Sequence, residues 1–390
     1  MDDSRQTQAK RLNSLLAENE IQNKVVVYRH WPEVIQMELT SRCNGQCVMC
    51  RHYYEWNDCG KDIDESAMDK LEALLPWCRL VLINGYGEPM LSGQFLRCME
   101  LLKTYHAKAM MTTNLSVLPE EAFEYLSVFE SINVSCNGAE KEDYERIHRG
   151  LHFEKFDSNL GKLMHMCGDV VSLSCVAMAE TVTRMDDLLL FAYRHGVRSV
   201  RFGRLGVNRM IRNDEQDLLR YPQAAAYYFS KAEKLAAQLG IALAYPGYYP
   251  GAVDCRQCER EIDELAGLRF RYDADHQREI WEEFLQYHSK NVYENREPAP
   301  KNDGPVSCKG ICDWVAKGLY IDVNGRYFPC CESKCVCYGD DWNSDAAQSL
   351  RGEFYAGKLP SFCRNCPFII NNELQLLRCE RIADENRIDL

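Results

Sequence analysis

Val34-Ile35-Gln36-Met37-Glu38-Leu39-Thr40 runs through Ser41-Arg42 into Cys43-Asn44-Gly45-Gln46-Cys47-Val48-Met49-Cys50. The first part is an apolar, strand-like run; the second places three cysteines on one short loop. Three soft thiolates this close can converge on one soft metal centre, for which iron–sulfur clusters and zinc are the usual candidates. A structural zinc site needs a fourth Cys or His to close its tetrahedron. The next candidates are His52 and Cys59, and C-x3-C-x2-C is not a zinc-finger spacing.

Outward from this loop the chain repeats strand, loop and helix. Val81-Leu82-Ile83-Asn84-Gly85-Tyr86-Gly87-Glu88-Pro89 reads as a second buried strand ending in a glycine-bearing turn. Glycines there let backbone approach a ligand closely, and carbonyls with a carboxylate can receive an ammonium group. Strands are expected over 34–40, 80–86, 107–113, 131–136, 170–178 and 198–204, with helical stretches such as Glu65 to Leu75, Gly93 to Tyr105, Glu120 to Val128, Phe156 to Met166 and Met185 to His195 between them. Apolar runs separated by helices argue for parallel strands covered by helices. Sites in such folds lie at the carboxyl ends of the strands. Before residue 30, Leu12, Leu15, Leu16, Ile21 and Val25 to Val27 predict a short amphipathic helix running into a lead-in strand.

Taken in order, these stretches resemble the radical S-adenosylmethionine (SAM) enzymes. Cys43, Cys47 and Cys50 match the loop in which three cysteines hold a [4Fe–4S] cluster and leave its fourth iron to the SAM amino and carboxylate groups. Gly85 to Pro89 is similar to the family's GGEP turn, as G-x-G-E-P with Tyr86 replacing a glycine. Thr112-Thr113-Asn114 resembles the TNG step, with Leu115 replacing its glycine, and Ser135 with Asn137-Gly138 resembles the S-x-D/N-G step. Asp143 to Gly150 is similar to the YExIRG signature of the subgroup with extra C-terminal clusters, with His148 intervening before Arg149. Taken singly, each such residue also reads as a turn former or helix cap. The resemblance implies SAM contacts from Met49, Gly85, Gly87, Glu88, Asn114 and Ser135, with Met49 against the adenine and Ser135 toward the methionine part. It implies an α/β fold: a partial (β/α)6 TIM-like barrel over 31–210, a helical lead-in over 1–30, a helical connector or lid over 211–303, and a small C-terminal α+β cluster-binding domain over 304–390.

The C-terminal segment is dense in cysteine. Cys312, Gly325 on a hairpin turn (Val323-Asn324-Gly325-Arg326) and Cys330 resemble the C-x9–15-G-x4-C opening of the SPASM and twitch domains, which bind auxiliary [4Fe–4S] clusters. Cys363-Arg364-Asn365-Cys366-Pro367 follows, but Asn372 stands where a full SPASM domain continues with cysteine. The resemblance therefore implies one closed auxiliary cluster on Cys312, Cys330, Cys363 and Cys366, as in a twitch domain, with Cys308 a possible substitute. A structural zinc ribbon from the same four thiols is the other reading. Cys255 and Cys258 form a metal half-site open to zinc, a cluster or nothing, and Cys331, Cys335, Cys337 and Cys379 carry no assignment. Cys78, Cys98, Cys136, Cys167 and Cys175 sit within helix or strand patterns and read as buried thiols.

With 390 residues the chain has length for two or three domains. A net charge of -12 argues against nucleic-acid binding. No apolar run reaches the roughly 18 residues of a membrane span, so neither a membrane nor a nucleic acid is an expected partner. With 20 cysteines and no sign of a secreted framework, a reducing, cytoplasmic setting is expected. The resemblance implies two [4Fe–4S] clusters, SAM, and an electron donor such as flavodoxin or ferredoxin. It points to a 5′-deoxyadenosyl radical that takes hydrogen from a small polar substrate, sugar- or cyclitol-like, oxidising an alcohol carbon in natural-product (antibiotic) biosynthesis. Epimerisation or decarboxylation of a sugar, peptide modification, and a zinc-bound scaffold are the alternatives. No catalytic residue is assigned. Arg201, Arg204 and Arg209 read first as solvent-facing and second as contacts for an anionic or hydroxylated substrate.

Overall fold

The computed structural model describes residues 3–50, 60–206, 213–246, 254–268, 308–331, 336–363 and 380–381. Six parallel strands follow the expected order: β1 (Val34–Met37), β2 (Leu80–Ile83), β3 (Lys108–Thr113), β4 (Phe129–Ser135), β5 (Val171–Ala177) and β6 (Ser199–Arg204). Val34 pairs with Leu80 and Leu80 with Lys108, while Met37 pairs with Ile83 and Ile83 with Met111, so the first three strands start level and β3 runs two residues further, to Thr113. β5 alternates buried and half-buried side chains along its whole length, as a strand with one face in the core should. With the intervening helices this is a mixed α/β fold consistent with a partial TIM-like barrel.

The helices form where the apolar spacing requires. Glu65–Leu74 starts at Asp64, whose side chain accepts from the Ala67 N–H, and buries Ala67, Met68, Leu71 and Leu74. Phe95–Thr104 buries Phe95, Cys98, Met99 and Leu102, the same stripe at helical spacing. Glu120–Val128 is wound as 3-10 turns instead of an α-helix. The strand begins at Phe129 with no connecting residue, and the greater rise per residue of the tighter helix covers that distance. Pro222–Leu239 begins at its proline and ends at Gly240, whose backbone is left-handed.

Two further elements close the sheet. β7 (Ala242–Ala244) adds beside β6. After β8 (Cys308–Lys309), β9 (Gly318–Ile321) lies parallel to β1 with Val34 opposite Gly318 and Met37 opposite Ile321, and β10 (Tyr327–Phe328) returns antiparallel through the expected hairpin. Among the described residues the order is β10-β9-β1-β2-β3-β4-β5-β6-β7, and β8 pairs separately with β11 (Glu380–Arg381). At the hairpin Gly325 has φ +70, where a Cβ would also meet the Ala67 side chain at 2.7 Å.

The lead-in differs from expectation. Its helix runs over Asp3–Gln22, and Val25 to Val27 form no strand. Leu12 and Leu15 are 57% and 59% exposed; Gln6, Asn13, Ala17, Glu20 and Ile21 are buried instead. The buried face is polar because it serves backbone. Asn13 both donates to and accepts from Trp31 main chain at 2.9 Å, and Glu20 takes the N–H groups of Arg29 and His30 and His30 Nδ1. From here the chain packs on the C-terminal segment. Arg351, fully buried, donates to the carbonyls of Val26 (3.0 Å) and Trp342 (2.8 Å), and its guanidinium lies 4.0 Å from the Tyr28 ring centre and 4.4 Å from that of Trp342. No described helix is long and apolar enough to cross a membrane.

Candidate functional site

At the carboxyl ends of the strands lies a cavity of about 530 Å³. Cys43, Cys47, Cys50, Met49, Gly85, Gly87, Glu88, Asn114 and Ser135 all line it. Residues singled out from four separate strand ends thus share one space. Chain order alone could not show this, since it depends on the register of β1 to β4.

The cysteine loop is tied at its base and flank. Thr40 Oγ1 donates to Asp62 at 2.6 Å and the Arg42 guanidinium pairs with the same carboxylate. Gln46 N–H donates to the Arg149 carbonyl (2.7 Å) and Val48 N–H to that of Ile147 (3.0 Å), so the loop lies along the segment after β4. Val48 anchors it in a small apolar cluster with Ile147, Met178 and Leu205, against which Met49 packs. Burial pushes the Cys43 thiol up to about 11 and that of Cys47 well above its usual range. Among the described residues no closed group of metal ligands stands preformed. A soft metal would have to displace these protons, and metal binding is what makes such sulfurs thiolates.

The turn after β2 is packed directly on the start of this loop. A Cβ on Gly87 would lie 2.2 Å from the Thr40 carbonyl oxygen and 2.7 Å from that of Arg42, so only glycine fits. Glu88 N–H donates to Arg42 O at 2.8 Å. The buried Glu88 carboxylate accepts from Thr113 Oγ1 (2.6 Å) and Asn114 N–H (2.7 Å). Burial nevertheless outweighs these bonds and raises it to about 7. Such a carboxylate is short of positive charge, and an ammonium group is its natural complement.

Asn114 also reaches Asn44 at 3.3 Å and points Nδ2 at Cys43 Sγ at 3.8 Å, joining the third strand end to the cysteine loop. From the fourth, His148 lies between Asn137 and Cys47. Its Nε2 faces the Asn137 N–H (3.1 Å) and Nδ2 (3.0 Å), and its Nδ1 lies 3.2 Å from Cys47 Sγ. Burial lowers His148 to about 4, so the ring is neutral near pH 7. The ring of Tyr144 sits 4.6 Å from that of His148, and the buried Tyr144 hydroxyl makes no hydrogen bond among the described residues. Three thiols on one loop, with a glycine turn packed against its start, suit a soft cluster better than a hard cation.

Several lining residues escaped sequence reading. Gln36, Asn84, Ser174, Tyr320 and Cys331 face the same cavity. Gln36 donates to Asn84 at 2.7 Å. Glu38, fully buried, accepts from Tyr86 N–H (2.7 Å) and the Tyr320 hydroxyl (3.0 Å), bracing the glycine turn against β9. Gln36 and Glu38 carried a signal, as polar residues inside an apolar strand. Tyr320 and Cys331 carried none, because only the pairing of β9 with β1 brings them here.

Of the expected auxiliary ligands, Cys366 lies outside the described residues, as do Cys335, Cys379 and Arg209. Cys312 opens the helix Asp313–Lys317, and Cys363 belongs to the core. Cys330, Cys312 and Cys363 are all electrostatic neighbours of the Tyr338 hydroxyl, which is buried and has no partner among the described residues. These three sulfurs share one neighbourhood, while among the described residues no group of three metal-ligating side chains is arranged to hold an ion. Adjacent residues thus serve different places: Cys330 belongs with this group, and Cys331 with the large cavity. On the helix Cys255–Gly267, Cys255 is exposed and Cys258 buried. Cys78, Cys98, Cys136 and Cys175 are buried as expected, and Cys167 is half-buried. Arg201 and Arg204 are exposed.

No family model and no curated protein matches the chain. Solved structures do. Streptococcus suis SuiB bound to the precursor peptide SuiA is similar over 88% of this chain and 69% of its own, with TM-score 0.54 and 13% identity. The protein anSMEcpe with bound AdoMet is similar over 87% of each chain, with TM-score 0.52 and 16% identity. At 13–16% identity these likenesses show the fold alone: the chain shares the fold of SuiB and anSMEcpe.

Proposed function

We propose that the chain is a radical SAM enzyme that removes hydrogen from a small polar substrate, such as a sugar or cyclitol, and oxidises an alcohol carbon. One observation carries the reading: the three-cysteine loop, the Gly85–Glu88 turn, Asn114 and Ser135 open on a single cavity. In this reading Cys43, Cys47 and Cys50 hold a [4Fe–4S] cluster, and Cys312, Cys330, Cys363 and Cys366 hold a second. When bound, the first cluster with SAM supplies a 5′-deoxyadenosyl radical. The chain's own residues position and shield. Glu88 receives the SAM ammonium group, Gly85 and Gly87 admit its backbone contacts, Ser135 and Asn114 orient it, and Met49 packs on the adenine. The strand ends exclude water around the reacting carbon. Flavodoxin or ferredoxin is the proposed electron donor and the cytoplasm the proposed location.

A second reading, modification of a peptide, is favoured by the likeness to SuiB, whose structure holds a precursor peptide. The deciding experiment is iron and sulfide per chain after anaerobic reconstitution, together with release of 5′-deoxyadenosine from SAM. About eight irons, falling to about four in Cys43/Cys47/Cys50→Ala, is the expected result. Zinc in place of iron overturns the proposal. Oxidation of sugars or cyclitols, against modification of peptides, separates the two readings.

A further inference from the structure

We propose that His148 donates an N–H···S hydrogen bond from Nδ1 to the Cys47 sulfur and thereby sets the reduction potential of the cluster held by that loop. The inference rests on the cluster assignment above. It follows from the tautomer, which the surroundings fix. Asn137 Oδ1 accepts from the Val176 N–H at 2.6 Å, so the amide is oriented with Nδ2 toward the ring. Nε2 therefore faces two donors, the backbone N–H at 3.1 Å and Nδ2 at 3.0 Å, and must be the unprotonated nitrogen. The ring proton is left on Nδ1, which lies 3.2 Å from Cys47 Sγ.

The ring cannot readily turn away. It is buried and lies tilted beside the Tyr144 ring, and the backbone N–H of His148 donates to the Tyr144 carbonyl at 2.7 Å. The neighbouring Val48 N–H, bonded to the Ile147 carbonyl, holds the cysteine loop against the same segment. Donor and sulfur are thus fixed from both sides. Hydrogen bonds to cluster sulfurs stabilise the reduced, more negative state and raise the potential. Asn114 Nδ2, at 3.8 Å from Cys43 Sγ, makes only a long contact by comparison. His148 is therefore a positioning and tuning residue, not a catalytic one.

The test is an EPR-monitored redox titration of the reconstituted protein carrying both clusters, following the signal that changes when SAM is added. In His148→Phe, which keeps an aromatic ring beside Tyr144 and loses the donor, the reduced-to-oxidised ratio at a fixed poise should fall about tenfold, about 59 mV for one electron. Wild-type protein labelled with 15N-histidine should show one weakly coupled nitrogen in the pulsed EPR spectrum of that cluster. An unshifted SAM-responsive potential in the variant, or no histidine coupling in the wild type, overturns the inference. If the variant does not load its cluster, the labelled wild type decides. A wild type without any SAM-responsive cluster instead defeats the proposed function.

Discussion

Replacing Glu88 by glutamine should stabilise the chain at alkaline pH and weaken its hold on SAM. Burial raises the carboxyl from an ordinary value near 4.5 to about 7 even though Thr113 and Asn114 donate to it. Each pKa unit is worth about 1.4 kcal/mol, so keeping Glu88 ionised in the folded chain costs about 3 kcal/mol above pH 7. The folded state holds this proton more tightly than the unfolded one. The contribution is therefore fully present below about pH 4.5 and lost as pH rises through 7. Glutamine keeps the shape and one acceptor oxygen but has no charge to desolvate. Urea midpoints of the wild type and Glu88→Gln, without SAM, should draw apart between pH 5 and 8 in favour of the variant. SAM titration calorimetry should show weaker binding to the variant, and wild-type affinity should fall as pH drops below 7. A stability difference that stays flat with pH, or moves the other way, refutes the argument that burial dominates at Glu88.

Other perturbations have equally direct outcomes. Gly87→Ala drives a methyl into the Thr40 and Arg42 carbonyls; it should cost about 1–3 kcal/mol in urea unfolding and lower the iron retained by the cysteine loop. Arg351→Met leaves the Val26 and Trp342 carbonyls without their donor and Asn343 Oδ1 with the Tyr28 N–H alone, and should lower stability by about 3 kcal/mol in urea unfolding. Tyr338→Phe removes a buried hydroxyl without a partner among the described residues; cluster-free protein should gain about 1 kcal/mol, and a loss in the same urea assay counts against the unsatisfied state.

How much of this could be read from the sequence depends on distance along the chain. The six barrel strands were legible as short apolar or alternating runs between helical stretches, and the helix at Pro222–Leu239 because it carries its own start and stop. The cavity's predicted lining was legible because its residues end consecutive strands. The lead-in misled because apolar residues ordinarily mark the buried face; here Leu12 and Leu15 face outward while Asn13 and Glu20 cap backbone groups of residues 29–31. Tyr320 and Cys331 stayed hidden because their roles arise from pairing between residues far apart in sequence. His148 appeared as a departure from a motif, and only its two ring contacts gave it a task.

The pairing of β9 with β1 has a consequence for how the chain is made. β1 launches the cysteine loop, and among the described residues its outer edge pairs with Gly318–Ile321. During synthesis β1 emerges long before β9, and its main-chain donors and acceptors stay bare on that side until Gly318–Ile321 follow. Such a bare margin recruits strands from neighbouring molecules. The C-terminal segment is therefore the barrel's safeguard against self-association, and a chain ended before residue 304 should aggregate through the strand that carries its metal ligands.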